Sequence, residues 1–100
     1  MMKLKIAVSG LALACASPAA LAQLTLDVSK ITCDQWVGYK ITNPHNIALW
    51  LSGYYNAKRG NTVIDPQRLD ENARKLQDYC LIHKQTPVMN AVEAVFDVKR

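Results

Sequence analysis

Two cysteines, Cys33 and Cys80, constrain the fold of this chain more than any other feature. They are the pair that remains once an N-terminal export signal, which carries the third cysteine, is removed. An oxidising compartment favours pairing of such cysteines, and small exported domains often supplement a small core with a disulfide. Closing a loop of about 48 residues destabilises the unfolded chain by ~4 kcal/mol in the loop-entropy model. We therefore expect one disulfide; two independent buried thiols are the alternative.

Residues 1–22 have the three parts of a secretory signal. Lys3 and Lys5 form a positive start, residues 6–16 are apolar, and small residues follow that place the cut before Gln23. The apolar run is too short to span a bilayer, so we expect a cleaved signal and a soluble, exported product without membrane insertion. Lipid attachment at the cysteine within the signal is the alternative.

Cleavage at that point leaves a single domain, residues 23–100. Ten Lys and Arg and eight Asp and Glu remain in it, so its formal charge is +2. This small and evenly mixed charge argues against nucleic acid or anionic lipid as a partner. Residues 23–30 alternate weakly between apolar and polar side chains, which fits either an extended arm or a disordered leader.

Four helix starts are predicted from capping residues. The first is a capping box, and each of the other three is a cap followed by proline; the starts are Thr32 with Gln35, Asn43–Pro44, Asp65–Pro66 and Thr86–Pro87. The first helix should end within residues 38–42, the second at Gly60 and the third before His83. These signals predict an all-α domain, a small four-helix orthogonal bundle whose first and third helices are joined by the disulfide.

Apolar positions at helical spacing predict the core-facing side of each long helix. The predicted positions are Ile47, Trp50, Leu51 and Tyr54 on the second helix; Leu69, Ala73, Leu76 and Cys80 on the third; and Val88, Val92, Val95 and Phe96 on the fourth. In the loop before the third helix, Val63 and Ile64 are expected to fill the core.

Reactive side chains do not form a recognisable catalytic or metal-binding pattern in this sequence. His45 and His83 lack further ligands at metal-site spacing, and both remaining cysteines are used by the expected disulfide. There is no glycine-rich phosphate loop and no serine in a nucleophile-elbow pattern. We expect no enzyme activity, no metal and no cofactor.

Aromatic side chains are instead concentrated in one part of the chain. Five of the seven aromatic residues in 23–100 lie between Trp36 and Tyr55. The second helix is apolar on more than one side, since Ala48 and Tyr55 fall outside its predicted stripe. Part of this helix is therefore either exposed for a partner or buried in the core, and the sequence leaves both possibilities open.

The mature chain resembles the HdeA/HdeB family of periplasmic acid-stress chaperones, which are small helical proteins with one disulfide. The resemblance rests on the order and spacing of the signal, the Thr32-Cys33-Asp34 start, the helix from Pro44, the Tyr79-Cys80 end of the third helix and the final helix after Pro87. It implies a homodimer at neutral pH that loosens in acid, binds acid-denatured periplasmic proteins through apolar surface and uses no nucleotide. The family's disulfide falls on Cys33 and Cys80. The region masked in the dimer and offered to clients falls on Trp36, Ile47, Trp50, Leu51, Tyr54 and Tyr55.

An acid trigger is consistent with the charges of the mature chain. By about pH 2 its eight carboxylates become neutral, while ten Lys and Arg, two His and the amino terminus are charged. The net charge then rises to roughly +13, which opposes compaction and association. Asp34 and Asp65 lie at helix starts and lose a favourable interaction with the helix N-terminus when protonated, so we expect them to act as pH-sensing carboxylates. A periplasmic inhibitor or immunity protein that binds one partner at neutral pH is the alternative function.

Overall fold

The computed structural model describes residues 25–100, and in this range the chain forms four α-helices after a short 3-10 turn, Val28–Lys30. The helices are α1 (Cys33–Val37), α2 (Pro44–Lys58), α3 (Pro66–Ile82) and α4 (Val88–Phe96). The described range has no β-strand, only an isolated antiparallel bridge between Thr32 and Pro87. The predicted all-α four-helix class is confirmed. The predicted signal, 1–22, lies outside the described residues.

The first three helices begin where their capping residues predict. Thr32 and Gln35 form a reciprocal capping box at α1, with the Gln35 amide 3.2 Å from Thr32 Oγ1 and the Thr32 amide 3.0 Å from Gln35 Oε1. Asn43 accepts from the His45 amide ahead of α2, and Asp65 accepts from the Arg68 amide ahead of α3. Each cap satisfies a first-turn N–H that has no partner within the helix.

The start of α4 differs from the prediction by one residue. Pro87 is the cap rather than the first helical residue, and Thr86 makes no capping hydrogen bond. The cause is a backbone contact from a distant segment, because the Val88 amide donates to the Ile31 carbonyl at 2.7 Å and the Cys33 amide donates to the Thr86 carbonyl at 2.8 Å. The chain before α4 is thus paired with the chain before α1, and that pairing sets where α4 begins.

The disulfide between Cys33 and Cys80 joins α1 to the end of α3, as predicted, with the two Cα atoms 4.8 Å apart. Both cysteines are fully buried at the centre of one core, to which every helix contributes. Leu76 of α3 and Val88 and Val92 of α4 are buried as the stripes predict. The bridge therefore lies inside the packed interior, where solvent does not reach it.

The core-facing side of α2 is rotated relative to the prediction. Ala48 and Tyr55, which fall outside the predicted stripe, are buried beside Ile47 and Leu51, whereas Trp50 is 44% exposed. The helix is apolar on nearly all sides, so spacing alone does not determine which side faces the core.

The loop before α3 also differs from the prediction. Val63 and Ile64 are 73% and 75% exposed, so neither fills the core. The buried apolar side chains from outside the α-helices are instead Val28 of the 3-10 turn and Ile31 after it. Residues 25–31, here called the arm, therefore pack on α4 through the 3-10 turn.

Candidate functional site

Trp36 lies in the core rather than on a surface. It is 4% exposed, and its indole Nε1 donates to the Pro44 carbonyl at 3.0 Å, which ties α1 to the start of α2. Ile47, Leu51 and Tyr55 are buried as well. Four of the six residues assigned to a client or dimer surface are thus accessible only if the domain opens, and their role stays a prediction.

Trp50 and Tyr54 are the two members of that set with substantial exposure in the folded domain. Their rings stack with centroids 5.0 Å apart at an interplanar angle of 16°, as expected for side chains four residues apart on a helix. Lys58 lies one turn further on, with its Nζ 5.2 Å from the Tyr54 ring centroid. The pair forms an aromatic ledge capped by a cation, which is a favourable cation–π geometry.

An open groove of about 490 Å³ runs beside this ledge. Trp50 and Tyr54 form one wall, and the arm forms the other through Leu26 and Val28. Met89 of α4 and Arg100 complete the lining. The groove is mainly apolar, so it presents the kind of surface that a hydrophobic segment of another chain would cover.

Tyr55, Glu93 and Arg100 form a polar cluster that the sequence analysis did not identify. The Tyr55 hydroxyl donates to Glu93 Oε2 at 2.8 Å, and Arg100 Nε donates to the same oxygen at 2.7 Å. No spacing rule links these residues, because Tyr55 and Glu93 lie on different helices and Arg100 lies beyond the end of α4. The cluster connects α2, α4 and the last residues of the chain.

Partial burial raises the pKa of Glu93, but the hydrogen bonds from Arg100 and Tyr55 and the attraction to the guanidinium outweigh it, so the net pKa is lowered. Burial, followed by the hydrogen bond to Glu93, raises the pKa of Tyr55 far above its ordinary value. At neutral pH the cluster therefore holds a carboxylate, a neutral phenol and a guanidinium.

Two further carboxylates are held in their charged form at the start of the domain. Asp34 Oδ2 lies 2.7 Å from Lys40 Nζ, and this hydrogen bond lowers the pKa of Asp34. The hydroxyl and amide of Ser29 donate to Asp27 and lower the pKa of that carboxyl. Asp65, the second predicted pH sensor, acts in the structure as the cap of α3.

Neither a cluster of metal ligands nor a membrane-spanning helix occurs among residues 25–100. No group of three or more His, Cys, Asp or Glu side chains lies close enough there to hold a metal ion. None of the helices in this range is both long and apolar enough to cross a bilayer.

Comparison with protein-family models matches residues 5–90 to the HdeA/HdeB family. The chain belongs to the HdeA/HdeB family. This assignment confirms the resemblance seen in the order of capping residues and cysteines, and the family is one of periplasmic acid-stress chaperones rather than enzymes. No curated protein and no solved structure matches the chain significantly.

Proposed function

We propose that the mature chain is an acid-activated, ATP-independent periplasmic holdase. In acid it binds denaturing proteins through apolar surface that the neutral fold covers. The observation that carries the proposal is the placement of Trp36, Ile47, Leu51 and Tyr55 in the packed core, where the Tyr55 hydroxyl is bonded to the charged Glu93. Membership of the HdeA/HdeB family supports the same function.

The direction of the pH effect follows from the carboxylates. Folding lowers the pKa values of Asp27, Asp34 and Glu93 below their ordinary values, which are about 4. Their charged forms therefore stabilise the fold, fully so above about pH 5. This stabilisation is lost as the pH falls through the lowered values, while net positive charge accumulates. Acid thus weakens two local surface contacts and the Glu93 contact that joins α2, α4 and Arg100, and it adds repulsion at the same time.

The disulfide limits how far the acid form can open. Protons do not affect the bond between Cys33 and Cys80, so α1 and the end of α3 stay joined when the carboxylate contacts are gone. We expect a loosened but cross-linked chain that presents core residues of α2, carries a high positive charge and keeps bound clients in solution. Neutralisation restores the contacts and covers the surface.

At neutral pH the groove beside Trp50 and Tyr54 is the apolar surface that a second copy would cover, and we propose a homodimer built on this ledge. Trp50 is half-exposed and aromatic, a residue type enriched at the centres of protein interfaces. Trp50→Lys should shift the chain to monomer in sedimentation at pH 7, whereas Val63→Lys, at an exposed site on a distant loop, should not. An unchanged dimer with Trp50→Lys would place the interface elsewhere.

Light scattering of an acid-denatured periplasmic protein, with and without equimolar mature chain, tests the holdase function. We expect the mature chain to suppress aggregation at pH 2 to 4 and not to suppress it at pH 7. Unchanged aggregation in acid would contradict the proposal.

The half-exposed Trp50 also suits the alternative function, an inhibitor of one partner. This alternative predicts a single stoichiometric partner in a neutral-pH pull-down and no effect on aggregation in acid.

A further inference from the structure

Residues 97–100, here called the tail segment, fold back over the domain after α4. Asp97 ends the helix in the left-handed region, with φ +54°, and so redirects the chain. Val98 packs against the core as a half-buried side chain. Arg100 donates a hydrogen bond from Nε to Glu93 Oε2 at 2.7 Å and a second one from Nη2 to Asn90 Oδ1. The tail segment is therefore held by one apolar contact, one ionic contact and one hydrogen bond to a neutral side chain.

The tail segment borders two depressions that lie along α2. Arg100 lines the groove beside Trp50 and Tyr54. On the other side, Val98 lines an open cleft of about 380 Å³ together with Tyr55. The aromatic residues of α2 are thus flanked on two sides by a segment whose one ionic contact is made to Glu93.

We propose that the tail segment is an acid-releasable clasp over α2. Protonation of Glu93 weakens the hold on Arg100, lets residues 97–100 leave the surface, and extends the apolar surface from the partly exposed Trp50 and Tyr54 to the buried Tyr55 before the rest of the core opens. This inference rests on the proposed holdase function, because it names how the same aromatic surface is regulated.

Glu93 suits this role because its two donors come from two different segments. Tyr55 donates from α2 and Arg100 donates from the tail segment, both to Oε2. A carboxylate accepts both bonds, whereas the carboxylic acid has no charge to hold the guanidinium and brings a proton of its own. One protonation therefore weakens the link to the tail segment and the bond from Tyr55 together, while the Tyr55 hydroxyl keeps the Met89 carbonyl, 3.3 Å away, as an acceptor on α4.

The other charged groups nearby are engaged elsewhere or lie on the solvent side. Asp27 of the arm shares the groove with Arg100, but its carboxylate is bonded to Ser29. Asp97, one turn after Glu93, is exposed. Among the residues described, α1 and α3 also pack on α4 but place no titratable group among the partners that shift the pKa of Glu93. Glu93 is thus the carboxylate whose protonation changes the ionic contact of the tail segment.

Backbone ¹⁵N heteronuclear NOE values at residues 98 and 100 of the mature chain, measured from pH 7 to pH 3, test the clasp. We expect ordered values at pH 7 that fall with the same midpoint as the titration of the Glu93 side-chain carboxyl carbon, while α3 amides are still ordered. Glu93→Gln should free the tail segment already at pH 7. Asp78→Asn, the same chemical change at an exposed site on α3, should leave it ordered.

A second variant separates release of the tail segment from loss of the fold. Arg100→Gln leaves the bond from Tyr55 to Glu93 in place and should still free residues 97–100 at pH 7, whereas Arg100→Lys should hold them. A tail segment that stays ordered through the Glu93 titration, or in either Gln variant at pH 7, would overturn the inference.

The clasp and the holdase function give separable results. Aggregation suppression by Glu93→Gln should begin at a higher pH than suppression by the wild type. Suppression by the wild type in acid with an ordered tail segment would refute the clasp and leave the proposed function standing. Release of the tail segment without suppression at any pH would refute the function instead.

Discussion

Replacement of Cys33 and Cys80 by alanine measures how much of the fold depends on the bridge. The cysteines are 47 residues apart in sequence. For a loop of this length the entropy model gives ~4 kcal/mol of stabilisation at 25 °C. A domain of this size has a free energy of unfolding of roughly 4 to 12 kcal/mol. We therefore expect the double alanine variant to lose between a third and all of its stability at pH 7.

Urea unfolding followed by far-ultraviolet circular dichroism provides the assay. The oxidised wild type, the reduced wild type and the double alanine variant should be compared at pH 7 under identical conditions. The reduced protein keeps both sulfur atoms, so it separates the loss of the bridge from the loss of packing at two fully buried side chains. If reduction lowers the free energy of unfolding by less than about 1 kcal/mol, the disulfide does not provide the restraint on which the acid form depends.

Three further substitutions test single local features of the fold: an ion pair, a helix cap and a backbone angle. Asp34→Asn removes the charged partner of Lys40. Because folding lowers the pKa of Asp34, the urea midpoint of the variant should lie below that of the wild type at pH 7 and converge with it as the pH approaches 2. A constant difference at all pH values would refute this assignment. Thr32→Ala breaks the capping box and should lower the free energy of unfolding by ~1 kcal/mol in urea titrations, whereas Thr62→Ala on the exposed loop should have little effect. Gly60 has φ +73°, so Gly60→Ala should cost ~1 kcal/mol in thermal unfolding although the site has space for a methyl group, and an unchanged melting temperature would contradict the conformational argument.

Local capping chemistry made most of the fold predictable from the sequence. Asn43–Pro44 and Asp65–Pro66 each satisfy a first-turn donor and fix the first helical φ, so they mark helix starts without reference to the rest of the chain. The start at Thr86–Pro87 was predicted one residue early because the Val88 amide donates a hydrogen bond to the carbonyl of Ile31, a residue more than 50 positions away in sequence. Backbone pairing over such a distance leaves no local signal.

The orientation of α2 and the polar cluster lay beyond the sequence for a related reason. Trp50 and Tyr55 are both aromatic and both fit an apolar face, and only the packing of α3 and α4 decides that Tyr55 is buried. The bond from Tyr55 to Glu93 joins residues 38 apart, and Arg100 reaches Glu93 only because Asp97 reverses the chain. Candidate site residues were therefore predictable as a region, but their division into buried and exposed members was not.

Sedimentation velocity of the mature chain at pH 7 and pH 3, with a dye that reports apolar surface in the same cell, decides whether acid opens the fold. We expect a compact species without bound dye at pH 7, and at pH 3 a more slowly sedimenting, cross-linked monomer that carries dye. An unchanged sedimentation coefficient with no dye bound at pH 3 would contradict the proposed function, because protonation of the carboxylates and the accompanying rise in positive charge would then leave α2 covered.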